Sequence, residues 1–546
     1  MDRRLEQIIS YHEASKHHFD RYAPGPGFMD WATQPDPFRR LEGAPVLRLE
    51  RLAPEGGLSY DQAFRSGAVS PAPVDRRSVS QLFFDTLALS AWKKAGSATW
   101  ALRVNPSSGN LHPTEGYLVC GPVPDLTDEP VVCHYAPREH ILEVRIRLSF
   151  SAWRALSEAM PEGTVFVAFT SIFWREAWKY GERAFRYCAL DLGHALGALG
   201  FAAAALGWET RVLDDLSTEQ LAQLLGIDRS HDAEVEHPEC MAAVFPRPAS
   251  GGRVFSFGPR SIPDISDLPC LGKPNRLSRG HVRWRMIESA ARATEKTVQD
   301  EPAFGNADLR LETQADSRRV VPALRGIIHQ RRSAVAMDAM TSMPVSAFYM
   351  LLTRTLPSSP HPVFDSLAWP FHVHTVLYVH RVDGLPPGLY ILVRSPRMQA
   401  FLQPAMRRSF AWERPRGCPD SLPLYLLAEG DLRRVAGQVS CHQDIAGEGC
   451  FCVSMISEFD GPLSRFGPWF YTRLFWECGM IGQVLYLEAE TAGLRGTGIG
   501  CFFDNPVHEL LGLEGRAFQD LYHFTVGAFV EDRRISTLPA YPQVRD

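Results

Sequence analysis

Arg331-Arg332-Ser333, in HQRRSAVAMD, is an anion-binding candidate. Two adjacent guanidinium groups suit bidentate, charge-assisted bonds to a phosphate, and the serine hydroxyl adds a further donor. Pro106-Ser107-Ser108-Gly109-Asn110, in RVNPSSGNLHPTEGYLV, makes a turn rich in hydroxyl and backbone N–H donors. Such a loop can satisfy the polar atoms of a flat ring or a sugar-like chain. The glycine run AGLRGTGIG, ending at Gly500, lets the backbone N–H groups of Gly496, Thr497, Gly498 and Gly500 approach a ligand closely. Lys179-Tyr180, in REAWKYGERAFRY, suits proton transfer if desolvation draws its titration toward neutrality.

Each stretch also has an ordinary reading, and in isolation several of those are the better ones. The arginine pair reads as a solvated basic turn at a helix start, and PSSGN as a turn before a strand. AGLRGTGIG reads as a helix C-cap and loop; its spacing fails GxGxxG and it follows a helix. Lys179 and Tyr180 read as a salt-bridged lysine and a core-edge tyrosine. His372, His374 and His380 alternate on a strand with no carboxylate or cysteine spaced for a metal, so no metal site is expected. His17-His18 reads as surface on a polar helix, and Ser107-Ser108 lacks the GxSxG elbow of a serine hydrolase.

The elements that must position these residues occur twice. At one constant offset Gly181 falls on Gly467, Asp191 on Glu477, Gly193 on Gly479, Gly207 on Gly493, and Leu224-Leu225-Gly226 on Leu510-Leu511-Gly512. The predicted organisation is an N-terminal helix and Pro/Gly-rich arm (1–54), a first module (55–250), a connector with an amphipathic helix near His281–Lys296 (251–320), and a second module (321–546). In the first module a helix is expected over Asp75–Ala95, strands at Glu115–Cys120, Val131–Tyr135 and Val165–Thr170, then a pair of helices. In the second, helices are expected at Val345–Leu356 and Trp469–Ala492, with strands at Phe371–Val382, 388–390 and Leu521–Phe529. Interleaved helices with few strands argue for an α+β fold.

Bulk properties narrow the function. The chain of 546 residues is too long for one core. A net charge of -5 with dispersed basic residues gives no reason to expect a nucleic-acid partner. The 11 cysteines form no CxxC pair or framework, which reads as reduced thiols in a cytoplasmic protein. The most apolar window, Leu192–Leu206, is short, Gly/Ala-rich and carries His194, which favours a packed core helix over a membrane span.

In combination, the Arg-Arg-Ser stretch, the PSxGxxxP segment, the Lys-Tyr-Gly-x-Arg-x-x-Arg-Tyr stretch and the C-terminal LLGL…VG strand resemble the nitroreductase superfamily. VDGLPPGLYIL and VCHYAPREHIL resemble the hairpin of its SagB-type, azoline dehydrogenase-like branch. The resemblance covers most of residues 55–250 and 320–535. It implies two tandem FMN-dependent modules forming an intrachain pseudo-dimer, with flavin held between them. Arg331, Arg332, Ser333 and a basic residue at Arg533 or Arg534 would hold phosphate and ribityl chain; Pro106, Ser107, Ser108 and Asn110 would reach across from the other module. Val335 stands where the family often has another arginine.

The motifs are unevenly shared. Gly109-Asn110 is matched by Pro360-His361, Arg331-Arg332-Ser333 by Phe64-Arg65-Ser66, the glycine run by TRVLD, and Lys179-Tyr180 by Arg465-Phe466. Proline removes a donor and fixes φ, so the second copy of the turn is not expected to cradle a ligand in the same way. One composite FMN site and one degenerate site are therefore expected. The implied activity is dehydrogenation of a small molecule or a modified peptide, hydride passing to the flavin while Lys179 and Tyr180 handle the proton. The alternatives are an NAD(P)H-dependent nitroreductase or quinone reductase, and a non-catalytic scaffold for a peptide or partner. Oligomerisation beyond the internal pair is left open.

Overall fold

The computed structural model describes residues 2–54, 56–229, 234–247, 265, 267–298 and 321–541. The ASGGR opening of the predicted connector lies outside the described residues, as does 299–320.

Two mixed-chain-order antiparallel sheets carry the fold. The first contains β1 (Val46–Arg48), β2 (Thr114–Cys120), β3 (Val131–Ala136), β4 (Ile141–Arg147), β5 (Val165–Ser171), β6 (Trp208–Leu213) and β7 (His237–Pro246). Their spatial order is β1-β4-β3-β2-β5-β7-β6. The second contains β8 (Val373–Val379), β9 (Gly388–Leu392), β10 (Leu424–Glu429), β11 (Phe451–Glu458), β12 (Arg495–Ile499) and β13 (Phe518–Gly527), in the order β10-β9-β8-β11-β13-β12. Leaving β1 aside, the two orders follow the same path. The strands are buried almost throughout because both faces are covered, which explains their near-continuous apolar runs.

Between the sheets lie α1 (Phe173–Tyr180), α2 (Ala184–Ala205) and α3 (Tyr471–Thr491). Helices α2 and α3 pack together with their small residues at the crossing. A side chain on Gly193 would collide with the Trp476 carbonyl, and one on Gly479 with the Leu190 carbonyl; each would also press on the other glycine's Cα. The stretch Phe173–Ala205 is long and apolar enough to cross a membrane, but 89% of its most apolar window is buried inside the protein. The glycines that match between the halves also match in conformation: Gly207 and Gly493 have φ of 69° and 70°. Gly226 and Gly512 each end a helix in the left-handed conformation that favours glycine.

Most predicted elements are present, with local differences. The stretch expected as one helix over Asp75–Ala95 is a helix only at Arg76–Thr86, capped by the Asp75 carboxylate. Leu89–Ala95 is instead a strand, paired with Ala98–Arg103 and with Ser536–Leu538 from the far end of the chain. Arg331-Arg332-Ser333 does not start a helix but follows one, Leu324–Gln330. The glycine run is not a loop: Arg495–Ile499 is the edge strand β12, paired to β13. Lys179-Tyr180 closes α1 rather than opening a helix. His17 is not surface; it lies past the first helix (Arg3–Ala14), buried, with Nδ1 accepting from Ala23 N at 2.9 Å.

Candidate functional site

Where the two halves meet, a cavity of about 560 Å³ opens between the PSSGN turn, the 331–335 segment, β12 and the tail 530–537. That volume lies within the ~300–1,000 Å³ usual for small-molecule sites. Among the sequence-predicted residues, Pro106, Ser107, Ser108, Asn110, Tyr180, Arg331, Arg332, Ser333, Thr497, Gly498, Gly500 and Arg533 all line it. Gly496 stands behind the wall, its carbonyl accepting from Ala334 N at 3.0 Å. Arg534 does not line the cavity and forms an exposed ion pair with Asp532, 2.7 Å. Lys179 is not in the cavity wall; its Nζ lies beside Gly109 on the same side as the Tyr180 hydroxyl, 5.2 Å from the Tyr180 ring.

The basic end of the cavity is built by packing. Arg331 is buried, with Nε bonded to the Val104 carbonyl and Nη2 to the Arg103 carbonyl, each 3.2 Å, and its guanidinium 4.9 Å from the Tyr486 ring centre. Its Nη1 is buried with no hydrogen-bond partner among the described residues. Arg332 is turned to the Ser90 hydroxyl and carbonyl and to the His329 carbonyl. Burial and the neighbouring Arg331 push Arg332 down to about 10. Lys93 is likewise lowered by burial, Arg332 and Arg495. Mutually repelling cations of this kind are stabilised when an anion binds among them.

Ser333 is held by Tyr486: the two hydroxyls are 2.8 Å apart, and the Tyr486 oxygen accepts from Gly498 N at 3.0 Å. Thr497 Oγ1 donates to the Ala334 carbonyl at 2.5 Å. These bonds lock the 331–335 segment against β12, so the glycines serve close packing as much as ligand approach. A side chain at Gly498 would collide with the Tyr522 hydroxyl, and one at Gly500 with the Tyr187 ring.

The opposite wall is the turn. Asn110 sits at φ 60°, its Nδ2 donating to the Ala101 carbonyl at 2.8 Å and its Oδ1 3.0 Å from His112 Nε2. Both polar ends of Asn110 are thus engaged in shaping the turn. Beneath it Asp191 accepts from Ser108 N and Oγ, each at 3.0 Å, with no cation paired to it among the described residues. Burial, against these hydrogen bonds, pushes Asp191 up to about 7. Glu176 is buried beside it and raised by burial and by Asp191. Tyr180, half-buried, is raised by burial and Glu176, so its phenol stays protonated. It meets Tyr187 edge-on, ring centres 4.7 Å apart.

Several lining residues were not foreseen: Lys93, Asn105, His112, Asp191, His194, Tyr486, Arg495 and Tyr522. Two had a visible signal. Arg495 stands inside AGLRGTGIG, and Asp191 is one of the duplicated landmarks.

The residues matching this site in the other pairing pack on one another. Phe64, which stands where Arg331 would, packs on His361 with ring centres 5.0 Å apart. The Arg354 guanidinium lies 3.9 Å from the Phe64 ring centre and pairs with Asp61 at 3.0 Å. Glu477, the match to Asp191, is bound by Arg394 and by the backbone N–H groups of His372 and Val373.

The Nitroreductase family model matches residues 74–244. Over the whole chain the fold is similar to that of a protein from Anabaena variabilis named as a nitroreductase candidate, with 20% identity and a TM-score of 0.66, covering 96% of this chain and 99% of that one. A Ralstonia eutropha protein named in the same way aligns over 41% of this chain and 90% of its own, at 16% identity and a TM-score of 0.28. The E. coli microcin synthetase McbBCD complex with truncated pro-MccB17 aligns over 45% and 94%, at 16% identity and 0.28. No curated protein matches the chain by sequence. Residues 74–244 are therefore a nitroreductase-family domain, and the chain that carries it is an oxidoreductase of the flavin-dependent class.

Proposed function

We propose that this protein is an FMN-dependent dehydrogenase of SagB type, built from two tandem modules (55–250 and 321–546) that form a pseudo-dimer with one composite flavin site per chain. The carrying observation is a cavity to which the second half brings Arg331, Arg332, Arg495 and Arg533 and the first half brings the hydroxyl-rich turn. The packing among Phe64, Arg354 and His361 supports one site rather than two.

The residues fit FMN. The unpartnered Nη1 of buried Arg331, with Arg332, Lys93, Arg495 and Arg533, suits the phosphate. Ser333 and Ser107 offer hydroxyls, and the β12 edge with Tyr522 offers a wall for a flat ring. Bound FMN would supply a two-electron acceptor.

The chain's own residues do the rest. Tyr180 presents a protonated phenol to the cavity and acts as proton carrier, with Glu176 and Asp191 as the buried carboxyls behind it. Lys179, whose amine lies beside Gly109 with the Tyr180 hydroxyl, is the other member of the proton-handling pair. The favoured substrate is a thiazoline or oxazoline in a modified peptide, oxidised to its azole, a reading that rests on the sequence resemblance.

The test is an absorbance spectrum of the purified protein with flavin stoichiometry. One FMN per chain is expected. A colourless protein that cannot be reconstituted, or two flavins per chain, sinks the proposal. Rapid anaerobic bleaching by NADPH would move the reading to a nicotinamide-dependent nitroreductase.

A further inference from the structure

Cys501 lines the cavity at the end of β12, and Cys441 lies beside it on the turn after the helix Arg433–Val439. Two backbone ties hold these segments together. Phe503 N donates to the Val439 carbonyl at 2.7 Å, and Gln443 Nε2 donates to the Cys501 carbonyl at 3.0 Å and to the Ser440 carbonyl at 2.8 Å. Cys441 and His442 have φ of 55° and 58°, two successive non-glycine residues in a conformation that L residues rarely adopt. The two thiols are thereby brought beside each other.

The surroundings distinguish the two sulfurs. The imidazole of His17 also lies beside Cys501. Its Nδ1 accepts from Ala23 N at 2.9 Å, so the proton of the neutral ring sits on Nε2. Arg183, anchored on Asp504 at 3.0 Å and on the Gly500 carbonyl, adds positive charge nearby. Tyr22, Tyr180, Tyr187 and Asp504 are the other titratable groups facing the pair. The neighbouring Cys441 thiol, with His17 and Arg183, outweighs burial and lowers the Cys501 thiol to about 5, while Cys501 and burial raise Cys441. Both residues are half-buried, unlike Cys120, Cys133, Cys188 and Cys240, which are buried with thiols raised by desolvation.

We propose that Cys441 and Cys501 form a redox-active dithiol in the cavity wall, oxidised to an intramolecular disulfide by exchange with a low-molecular-weight disulfide. The Cys501 thiolate attacks one sulfur of that disulfide; its S–S bond breaks and one thiolate leaves. The Cys441 sulfur, losing its proton, then attacks Cys501 in the mixed disulfide and expels the second thiolate. Two protein thiols are oxidised, one external disulfide is reduced to two thiols, and the two protons released by the protein pass to the leaving thiolates. The new bond ties the 439–443 turn to the strand end that carries Gly498 and Gly500. The proposal stands independently of the flavin reading.

Full-length protein is incubated with oxidised glutathione, alkylated, digested without reduction and mapped by mass spectrometry. A peptide linking Cys441 to Cys501 is expected. Cys441→Ser should trap glutathione on Cys501, and Cys501→Ser should leave Cys441 free for alkylation. At pH 6 Cys501 should be alkylated at least about tenfold faster than the half-buried Cys418, whose thiol is raised by burial. No linking peptide in the wild-type chain overturns the proposal, whether or not the variants fold. So does alkylation of Cys501 no faster than that of Cys418.

Discussion

Gly193 and Gly479 face each other where the two longest helices cross, each leaving no room for a Cβ on the other. They belong to opposite halves and occupy matching places in the duplicated pattern. The closeness of this crossing sets how near the PSSGN turn stands to β12, since Asp191, two residues before Gly193, holds the turn through Ser108.

Gly479→Ala tests the crossing. The added methyl would meet the Leu190 carbonyl and the Gly193 Cα, so overpacking should destabilise the chain by about 1–3 kcal/mol. A fall in the urea midpoint, with loss of bound flavin, is expected. An unchanged midpoint would mean that the helices separate freely.

The composite site makes a claim about two distant residues. Arg331→Ala should weaken FMN binding by about ten- to a hundredfold, from the loss of hydrogen bonds to a charged group. Asn110→Ala, in the other half, should also lower flavin content by removing the bond to Ala101 and leaving alanine at a positive φ. Arg534→Ala, outside the cavity, should leave flavin content alone. Fluorescence titration of apoprotein with FMN checks all three, and an effect confined to one half contradicts the composite site.

Tyr180→Phe removes a hydroxyl without changing the packing against Tyr187. Flavin content should be retained while turnover of a thiazoline-containing peptide falls about 10²–10⁴-fold, the usual contribution of a positioned proton carrier. Wild-type turnover would remove Tyr180 from the chemistry.

Asp191 gives a pH dependence with a definite sign. Its folded-state value, about 7, lies above that of an unfolded aspartate, so the folded chain holds the extra proton between about pH 4 and pH 7. Stability contributed by this group therefore falls as pH rises through that window. Asp191→Asn should flatten the dependence, and its urea midpoint relative to wild type should rise from pH 5 to pH 7.5. A midpoint that falls relative to wild type over the same range refutes the assignment.

The sequence displayed the repeat because paired glycines mark places where only close approach or a left-handed turn will do. It displayed both walls of the site because each wall is a short contiguous motif. The hairpin 89–103 was hidden. LALSAWKKA has the composition of a helix end, and its strand state depends on pairing with residues such as Thr537, 444 positions from Lys93. The placement of Lys179 was hidden for a similar reason: adjacency to Tyr180 says nothing about whether its amine reaches the cavity wall. Nor could the strand state of AGLRGTGIG be read, since glycine weakens a strand unless another backbone or ring needs the space, as Tyr522 and Tyr187 do here.

The pairing of Ser536–Leu538 with the 89–103 hairpin has a bearing on biosynthesis. One wall of the cavity leaves the ribosome with Lys93 and the last with Thr537, so a nascent chain has no enclosed ligand chamber until translation has passed Leu538. Enclosure of a ligand is thereby deferred until residues 536–538 have joined a hairpin made 444 positions earlier in the chain.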